Sequence, residues 1–446
     1  MDLSSIIKAY DVRGIVPDEF DEDIARRIGA AFAEFVDSDE VIVGHDCRLS
    51  SPAIREALID GITGQGTDVR SIGEIPTDLL YYASGALSLP GVVITASHNP
   101  PQYNGLKFCQ PAAAPIGQET GLADIRAMAE TGVAPAAVRG VVRDEDLIAG
   151  YVDHVTSVTR SDGISGMRVA ADGGNGMAGA VLPQVFAKLD AELLPLYLEP
   201  DGTFPNHPAD PLRPENLVDL TQLVLDEQPD IGVAFDGDAD RAFFIDDLGV
   251  SLPGSTTTAI IADWFLEQQP GSAIVHNLIC SRAVPEIVEA SGGIAIRTKV
   301  GHSFIKQVMA DTGAVFGGEH SGHYYFKDNF RADSGIMAML VLMRVLSDAG
   351  VPLSELRSTY EPYVQSGEIN FRVADTARAD AAVERAFVDK PSDRLADGVI
   401  PLDLGDRWFN LRPSNTEPVL RLNVEGPDDE AVEDLVTEIS DIIKEA

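Results

Sequence analysis

The sequence predicts an α/β protein: three similar α/β modules with mainly parallel, mixed sheets and a C-terminal α+β domain, arranged around a central cleft. The chain has 446 residues, more than one hydrophobic core supports. Strands and helices alternate in the order β-α-β-α-β three times, which indicates three similar units. In each unit the third strand runs into a polar loop, and ligands of open α/β sheets bind beyond the carboxyl ends of strands. The three loops are therefore expected to meet in one cleft.

Each module consists of short apolar runs joined by segments with helical spacing. The predicted strands are Val41–Gly44, Asp68–Gly73, Gly91–Thr95, Met167–Ala171, Glu192–Leu198, Ile231–Phe235, Ser272–His276, Gly293–Arg297 and Ala314–Gly317. The predicted helices are Pro52–Gly64, Thr77–Ala83, Gly179–Leu189, Pro214–Asp226, Arg282–Ser291 and Ser303–Asp311.

The last part of the chain has a different pattern, in which alternating strands predict a small antiparallel sheet. Its predicted strands are Ile369–Val373, Ile400–Leu404 and Val419–Val424, and its predicted helices are Thr376–Phe387 and Asp429–Lys444. These changes of pattern predict domains at residues 1–150, 151–250, 251–362 and 363–446.

Composition and charge exclude several classes of protein. With 45% hydrophobic and 23% charged residues, the chain should fold throughout. A formal net charge of −38 repels nucleic acid and anionic membranes, so neither is an expected partner. No basic, apolar leader and no long apolar run is present, which predicts a cytoplasmic protein. The three cysteines are far apart and lack CxxC spacing, so they predict neither a disulfide framework nor a zinc site.

The loop after the third strand of the first module, Thr95-Ala-Ser97-His98-Asn-Pro100, places a serine beside a histidine. A hydroxyl in such a tight polar turn could carry a phosphoryl group. From this loop alone, an ordinary strand-to-helix turn explains the sequence equally well. Lys107 follows in the same segment and could shield the charge of a phosphorylated serine, although a solvated loop lysine would fit the sequence nearly as well.

Three aspartates, Asp236, Asp238 and Asp240, alternate in the loop that follows the third strand of the second module. Carboxylates at this spacing can surround one hard cation, and Mg²⁺ favours such ligands when a phosphate completes its shell. An EF-hand would need Gly and Glu where the chain has Arg241 and Asp247. A solvated acidic turn is the alternative. Arg241 could hold a phosphate oxygen in a bidentate fork.

Further motifs offer groups that bind anions. Arg412 precedes three hydroxyl or amide side chains, a set that could grip a phosphate dianion, and a capped turn is the alternative. The segment Lys299-Val-Gly-His-Ser precedes a predicted helix, where backbone N–H groups suit anions, but capping by Ser303 explains it too. The turn from Tyr10 to Arg13 is a weak signal. The remaining residues in these motifs are Ser414, Asn415 and Thr416 after Arg412, and Gly301 and His302 after Lys299.

The sequence Gly174-Asn-Gly-Met-Ala-Gly179 matches the dinucleotide-binding pattern GxGxxG between a strand and a helix. No acidic ribose ligand can be paired with it from the sequence. Close packing of the helix on the strand explains the glycines as well as a nucleotide does.

Taken in order, these motifs resemble those of the α-D-phosphohexomutase superfamily, over essentially the whole chain and most closely in its bacterial phosphomannomutase/phosphoglucomutase branch. The resemblance lies in Tyr10–Gly14, Thr95–Pro100, Asp236–Arg241, Gly318–His323 and Arg412–Pro418. It implies an isomerase that interconverts hexose 6-phosphate and hexose 1-phosphate through a phosphoserine and a hexose 1,6-bisphosphate. It also implies Mg²⁺ as cofactor, a phosphosugar as binding partner, and a monomer or weak homodimer.

The resemblance also implies a role for each motif. Ser97 would be the phosphoserine and, with the three aspartates, the metal ligand set; His98, Arg13 and Lys107 would handle protons and charge beside it. The four domains would carry the phosphoserine loop, the Mg²⁺ site, sugar recognition and phosphate binding, in that order. The residues implied to bind substrate are Tyr10, Arg241, Lys299, Gly301, His302, Glu319, Ser321, His323, Arg412, Ser414, Asn415 and Thr416.

Substrate and proton transfer stay open at this point. The motif Glu319-His-Ser-Gly-His323 resembles that of phosphomannomutases, whereas glucosamine mutases usually carry Gln at the position of His320. Mannose phosphate is therefore the expected substrate, with glucose phosphate as a second one. Some relatives use a lysine as general acid/base after the first strand of the third module, where this chain reads His276-Asn-Leu-Ile279. A metal-dependent phosphatase and a non-catalytic sugar-phosphate sensor are the alternatives from other classes.

Overall fold

The predicted architecture of three α/β modules and a C-terminal α+β domain is confirmed. The structure is a computed structural model that describes residues 1–8, 10–373, 375–387, 400–413 and 419–446. Every strand predicted for the three modules overlaps an observed strand, with ends that differ by up to two residues. The predicted helix Pro214–Asp226 begins later, at Val218, because a single 3₁₀ turn precedes it.

The first domain contains a seven-stranded mixed sheet in the order β1-β5-β4-β2-β3-β7, with β6 paired to β5. Its central strand β4 is apolar and fully buried, as expected for a strand covered on both faces. Its elements are β1 Val12–Ile15, α1 Glu22–Val36, β2 Glu40–His45, α2 Ser51–Gly64, β3 Asp68–Glu74, α3 Thr77–Leu87, β4 Gly91–Ile94, β5 Tyr103–Gln110, β6 Ala114–Pro115, α4 Leu122–Thr131 and β7 Val142–Asp144.

The second domain has a five-stranded sheet in the order β12-β11-β10-β8-β9, in which β8, β9 and β10 are parallel. Its elements are α5 Ile148–Val158, β8 Ser165–Asp172, α6 Ala178–Phe186, β9 Asp190–Leu196, α7 Val218–Glu227, β10 Ile231–Phe235, β11 Ala242–Ile245 and β12 Ser251–Leu252.

The third domain repeats the plan in the order β14-β13-β15-β16-β17. Its elements are α8 Gly254–Gln268, β13 Ala273–Asn277, α9 Ala283–Ala290, β14 Ile294–Thr298, α10 His302–Thr312, β15 Phe316–Gly318, β16 Tyr324–Phe326, β17 Ala332–Asp333, α11 Gly335–Ala349 and α12 Leu353–Ser358. In all three modules the strand before the polar loop is parallel to its neighbour, and the strand after the loop returns antiparallel.

The C-terminal domain is an antiparallel sheet with its own hydrophobic core. Its elements are β18 Val364–Gln365, β19 Ile369–Arg372, α13 Thr376–Ala386, β20 Ile400–Asp403, β21 Trp408–Pro413, β22 Val419–Gly426 and α14 Asp429–Glu445. Strand β21 was not predicted, and it lies between β20 and β22.

The first three domains share one interior. A single cluster of buried apolar side chains includes Ile42, Val233 and Phe316, one from the sheet of each domain. At a domain junction the buried Asp78 accepts hydrogen bonds from Tyr151 and Ser334, both at 2.5 Å.

The three cysteines are free. Among the described residues, no helix combines the length and the apolar character that crossing a membrane requires.

Candidate active site

Ser97 lies where the first two domains meet, on the loop of residues 95–103 that follows β4 (the serine loop). Its hydroxyl donates a hydrogen bond of 2.7 Å to Asp236 Oδ2, although the two residues are 139 positions apart in the chain. The residue is 4% exposed, and its backbone has φ 50°, a left-handed conformation that is uncommon for serine. Thr95 Oγ1 accepts from the Ser97 amide at 3.0 Å. The turn thus holds the hydroxyl toward the aspartates.

The three aspartates of residues 236–241 (the aspartate loop) are buried and carry carboxylate oxygens within 4.8 Å of one another. One oxygen of Asp238 and one of Asp240 are buried without any hydrogen-bond partner. Unpartnered carboxylate oxygens at this spacing are the donor set a hard divalent cation requires. The residues therefore fit a metal ion. A second group with the same spacing adds His323 and Asp333 to Asp240, but Asp333 pairs with Lys306 at 2.7 Å.

Lys107 is neither solvated nor in a loop. It lies on β5, where its residue pairs with Val93 of β4, and its ammonium donates to Asp238 at 2.6 Å and to Asp240 at 2.5 Å. Burial opposes the charged form, but the two carboxylates outweigh it and raise the pKa of Lys107. Burial also acts to raise the pKa of Asp240, but the charges of Lys107, His323 and Arg241 together outweigh it and the pKa falls to about 2. The lysine stays protonated.

Arg241 connects the serine to the aspartates. Its Nε donates to Asp236 at 2.9 Å and its Nη2 to Ser97 Oγ at 3.2 Å and to His98 Nδ1. The guanidinium charge is the main reason that the pKa of His98 lies well below its usual value, with burial second. His98 is therefore neutral, with Nδ1 3.2 Å from Ser97 Oγ. Arg13, on β1, reaches the same loop by donating to Asn99 at 2.5 Å.

The loop of residues 318–323 (the glutamate loop) joins the aspartate loop directly. Arg241 and His323 form an isolated antiparallel bridge, and His323 Nε2 lies 3.7 Å from Asp240. Burial would lower the pKa of His323, but Glu319 at 3.2 Å and Asp240 raise it. Ser321 Oγ lies 3.1 Å from His323 Nδ1. The three polar loops thus converge on one cleft, as the fold prediction required.

The carboxylate of Glu319 is buried and fully engaged in this conformation. It accepts from Asn277 at 3.0 Å, from the Gly301 amide at 3.3 Å and from Tyr325 at 2.9 Å, besides its contact with His323. Because Gly301 has φ 133°, it adopts a conformation that favours glycine. A Cβ there would also lie 2.8 Å from Tyr10 Oη, so Tyr10 of the first domain lies against this turn of the third.

Lys299 and His302 flank the same turn. Lys299 Nζ lies 5.5 Å from the centre of the Phe304 ring, a cation–π distance. His302 is the first residue of α10, and its side chain lies outside the described part of the chain.

Arg412 lies near the end of β21 in the C-terminal domain, and Arg421 of β22 is its cross-strand partner. Glu368 accepts a hydrogen bond of 2.8 Å from Arg412 and forms an ion pair with Arg421 at 3.3 Å. Two arginines around one carboxylate form a natural anion site. The predicted partners of Arg412, namely Ser414, Asn415 and Thr416, lie outside the described residues.

Sequence reasoning missed two residues at this site. Thr77 donates to Asp238 at 2.6 Å from the start of α3. Arg48 donates to Asp46 and to four backbone carbonyls of the serine loop. A loop arginine between a strand and a helix gives no sequence signal of such distant partners. Ile279, in the segment that follows the first strand of the third module, is buried.

Packing explains two glycines of the GxGxxG motif. A Cβ on Gly179 would lie 1.5 Å from the Leu198 carbonyl oxygen, and one on Gly176 would lie 2.6 Å from that of Gly237. The helix can approach these loops only because the side chains are absent.

Comparison with known proteins places the chain in a family. Models for the α/β/α domains I, II and III and the C-terminal domain of phosphoglucomutase/phosphomannomutase match residues 4–134, 149–249, 253–363 and 368–442. A phosphomannomutase of Salmonella montevideo is 39% identical over 441 residues, covering 96% of each chain. A Xanthomonas campestris protein named phosphohexose mutases is 40% identical over 445 residues, covering 98% of each.

A crystal structure shows the same relationship in three dimensions. A phosphoglucomutase/phosphomannomutase family protein from Burkholderia thailandensis superimposes with a TM-score of 0.90 at 30% identity, and the match covers 100% of this chain and 98% of that one. The chain therefore belongs to the phosphoglucomutase/phosphomannomutase family, and it is a phosphohexomutase, an isomerase.

Proposed function

We propose that this phosphohexomutase interconverts mannose 6-phosphate and mannose 1-phosphate through a phosphoserine at Ser97 and a mannose 1,6-bisphosphate, with glucose phosphates as second substrates. The phosphomannomutase among its relatives supports mannose, as does His320 in the glutamate loop. His320 is buried and its Nδ1 lies 2.9 Å from Ser255 Oγ, so a bonded imidazole stands at the position that separates mannose from glucosamine types.

The observation that carries the proposal is the junction of Ser97 with the aspartate loop. A serine hydroxyl alone is a weak nucleophile, and it needs charge stabilisation at the phosphorus it attacks. Arg241 donates to Ser97 Oγ and Arg13 to Asn99 of the serine loop, and Lys107 brings a third positive charge to the neighbouring aspartates. Because the protein has a net charge of −38, an anionic substrate requires a local group of positively charged side chains such as this one.

Asp236, Asp238 and Asp240, with the phosphate of phosphorylated Ser97, would hold Mg²⁺. When bound, Mg²⁺ supplies Lewis-acid polarisation of the phosphoryl oxygens. Lys107 keeps two of these carboxylates ionised and oriented. Arg241 orients Asp236, because its Nε and backbone amide both donate to that carboxylate, while burial outweighs the Arg241 charge and raises the pKa of Asp236 to about 7.

The reaction needs a proton to leave the sugar hydroxyl that attacks the phosphoserine and to return in the second transfer. His98 is neutral with Nδ1 3.2 Å from Ser97 Oγ, and it can accept that proton at Nδ1 once Arg241 Nη2, which donates to the same nitrogen, moves to the phosphoryl group. Lys107 and Arg13 would stabilise the phosphoryl oxygens with their positive charge. Because the lysine that some relatives use is absent, we propose that the histidine handles the proton.

The far end of the substrate would be held by the C-terminal domain. Arg412 would bind the non-reacting phosphate, together with Ser414, Asn415 and Thr416. The sugar would lie between this clamp and the serine loop, where the remaining proposed contacts are Tyr10, Lys299, Gly301, His302, Glu319, Ser321 and His323. The bisphosphate would turn between the two phosphate positions. We place the enzyme in the cytoplasm as a monomer or weak homodimer.

A coupled assay tests the proposal. Mannose 1-phosphate and glucose 1-phosphate are each supplied with Mg²⁺, with and without the matching 1,6-bisphosphate. We expect interconversion of both sugars, faster for mannose and stimulated by the bisphosphate. Stoichiometric release of inorganic phosphate would identify a phosphatase, binding without turnover would identify a sensor, and preference for glucosamine phosphate would overturn the sugar assignment.

A further inference from the structure

We propose that Arg48 is a positioning residue that fixes the serine loop in the conformation from which Ser97 accepts and donates the phosphoryl group. This inference rests on the proposed role of Ser97 as the phosphoryl carrier. Arg48 touches neither the hydroxyl nor the aspartates. It acts through the backbone of the loop.

The guanidinium of Arg48 uses all five of its N–H donors. Nη2 donates to the carbonyl oxygens of Ser97 at 2.7 Å and Asn99 at 2.6 Å. Nη1 donates to those of Pro100 at 2.8 Å and Tyr103 at 3.0 Å. Nε donates to the Asp46 carboxylate at 3.1 Å. Five donors is the full capacity of an arginine, and no other side chain offers so many in one plane.

The loop needs this support because its carbonyl groups turn inward. Ser97 has φ 50° and is almost completely buried, so water has little access to its carbonyl, whereas Asn99 and Tyr103 are half-buried and Pro100 is exposed. Buried carbonyls without partners are costly, and the loop would relax to expose them. The Arg48 side chain, itself 0% exposed, substitutes for that water with fixed donors. It thereby favours the one backbone conformation that turns Ser97 Oγ toward Asp236.

Arg48 in turn contacts both of the first two domains. Asp46 follows β2 directly, its amide extends the strand pairing by donating to Ile94 at 2.9 Å, and its carboxylate accepts from the Arg48 amide and Ser51. On its other side the guanidinium lies 5.0 Å from the centre of the Phe204 ring in the second domain. The serine loop is therefore held relative to the domain that supplies the aspartates.

The step that depends on this position is the loading of the enzyme. A hexose 1,6-bisphosphate gives one phosphoryl group to Ser97: the P–O bond to the sugar breaks, a P–Oγ bond forms, and the serine proton passes to the sugar oxygen that leaves. Transfer falls steeply when the attacking oxygen is displaced by about 1 Å, with losses on the order of 100-fold. Sugar binding through the C-terminal domain does not depend on that displacement.

The test compares Arg48→Lys with the intact enzyme. Lysine has three donors, so at least two of the five acceptors lose their partner. Dephosphorylated enzyme is mixed with mannose 1,6-bisphosphate and Mg²⁺, and the gain of a phosphoryl group on Ser97 is followed by quenched-flow intact-mass spectrometry. We expect Arg48→Lys to load roughly 100-fold more slowly, with the KM for mannose 1-phosphate within about 2-fold of the intact enzyme.

The matched control is Arg357→Lys, which removes a guanidinium that pairs with Asp246 and Glu361 away from the serine loop. It should lower the melting temperature comparably and leave loading unchanged. Equal loading rates for Arg48→Lys and the intact enzyme overturn the inference. An equal loss of loading rate in Arg48→Lys and Arg357→Lys also overturns it, because that loss would reflect a general effect on stability. If the intact enzyme never gains a phosphoryl group on Ser97, the proposed function itself fails. Should Arg48→Lys not fold, Asp46→Asn keeps the shape of the side chain but removes the charged acceptor that orients Arg48 Nε. It is expected to show a smaller loss of the same kind, and full-rate loading there overturns the inference.

Discussion

Gly237, between the first two aspartates of the aspartate loop, allows the two loops to touch, and Gly237→Ala is expected to separate them. A Cβ on this residue would lie 2.4 Å from the Ser97 carbonyl oxygen, where ordinary contact begins at 3.4 Å. The backbones must therefore move apart by about 1 Å. Neither backbone can move away freely, because each is held by a neighbour. Arg48 holds the Ser97 carbonyl at 2.7 Å, and Gly237 packs on Gly176, whose own Cβ would lie 2.6 Å from the Gly237 oxygen.

The magnitude follows from the geometry. A shift of about 1 Å would lengthen the 2.7 Å bond between Ser97 Oγ and Asp236 beyond hydrogen-bonding range. A misplacement of this size costs on the order of 100-fold in rate, or about 2.7 kcal/mol in the activation barrier. We expect kcat to fall by that factor while the KM for the sugar phosphate changes little.

The assay is kcat for mannose 1-phosphate at saturating bisphosphate, with the melting temperature measured alongside. Gly64→Ala is the control, because a Cβ at this helical position finds nothing nearer than 3.8 Å. It should keep full activity and gain up to about 1 kcal/mol in stability. A Gly237→Ala enzyme with kcat within about 2-fold of the intact enzyme would refute the close-approach argument.

Three further predictions concern pH, substrate affinity and salt. Burial raises the pKa of Asp78 from 3.8 to about 7, so the stability that its protonated form contributes is full below pH ~4 and is lost as pH rises toward ~7. The loss is at most about 4 kcal/mol. Asp78→Asn should therefore reduce the fall of the melting temperature with pH, and an unchanged dependence on pH would contradict this prediction. Arg412→Ala should raise the KM for hexose phosphates by roughly 10-fold or more, because the substrate phosphate loses a charge-assisted fork; an unaltered KM would place the distal phosphate elsewhere. The protein has 71 acidic and 33 basic residues, so its negative charges repel one another. Salt screens this repulsion, and the melting temperature should rise between low salt and about 1 M KCl. A steady fall would show that charge repulsion does not limit stability.

The sequence was sufficient for the features that depend on local pattern. Apolar strands such as Ile231–Phe235 and the polar loops after them are visible as periodicity, and the rule that ligands bind at the carboxyl ends of strands brings the loops together. It also located Ser97, which the structure places 2.7 Å from Asp236. The aspartate loop was found because carboxylates in alternation have few purely structural uses.

Features that depend on long-range pairing were missed. No strand was predicted at Tyr103–Gln110, which carries Lys107, because this segment becomes a strand only through its pairing with β4. Strand β21 was overlooked because Arg412 and Pro413 were interpreted as part of a turn, and the sheet partners that make it a strand lie on both sides. The partners of Arg48 lie about fifty residues further along the chain, and no local pattern reports them.

The central claim is that Ser97 carries the phosphoryl group, and phosphopeptide mapping tests it most directly. Intact enzyme and Ser97→Ala are incubated with mannose 1,6-bisphosphate and Mg²⁺, digested, and analysed by tandem mass spectrometry. We predict one phosphoryl group on Ser97 in the intact enzyme, and neither phosphopeptide nor turnover in Ser97→Ala. Phosphorylation at another residue, or full turnover by Ser97→Ala, would contradict the account.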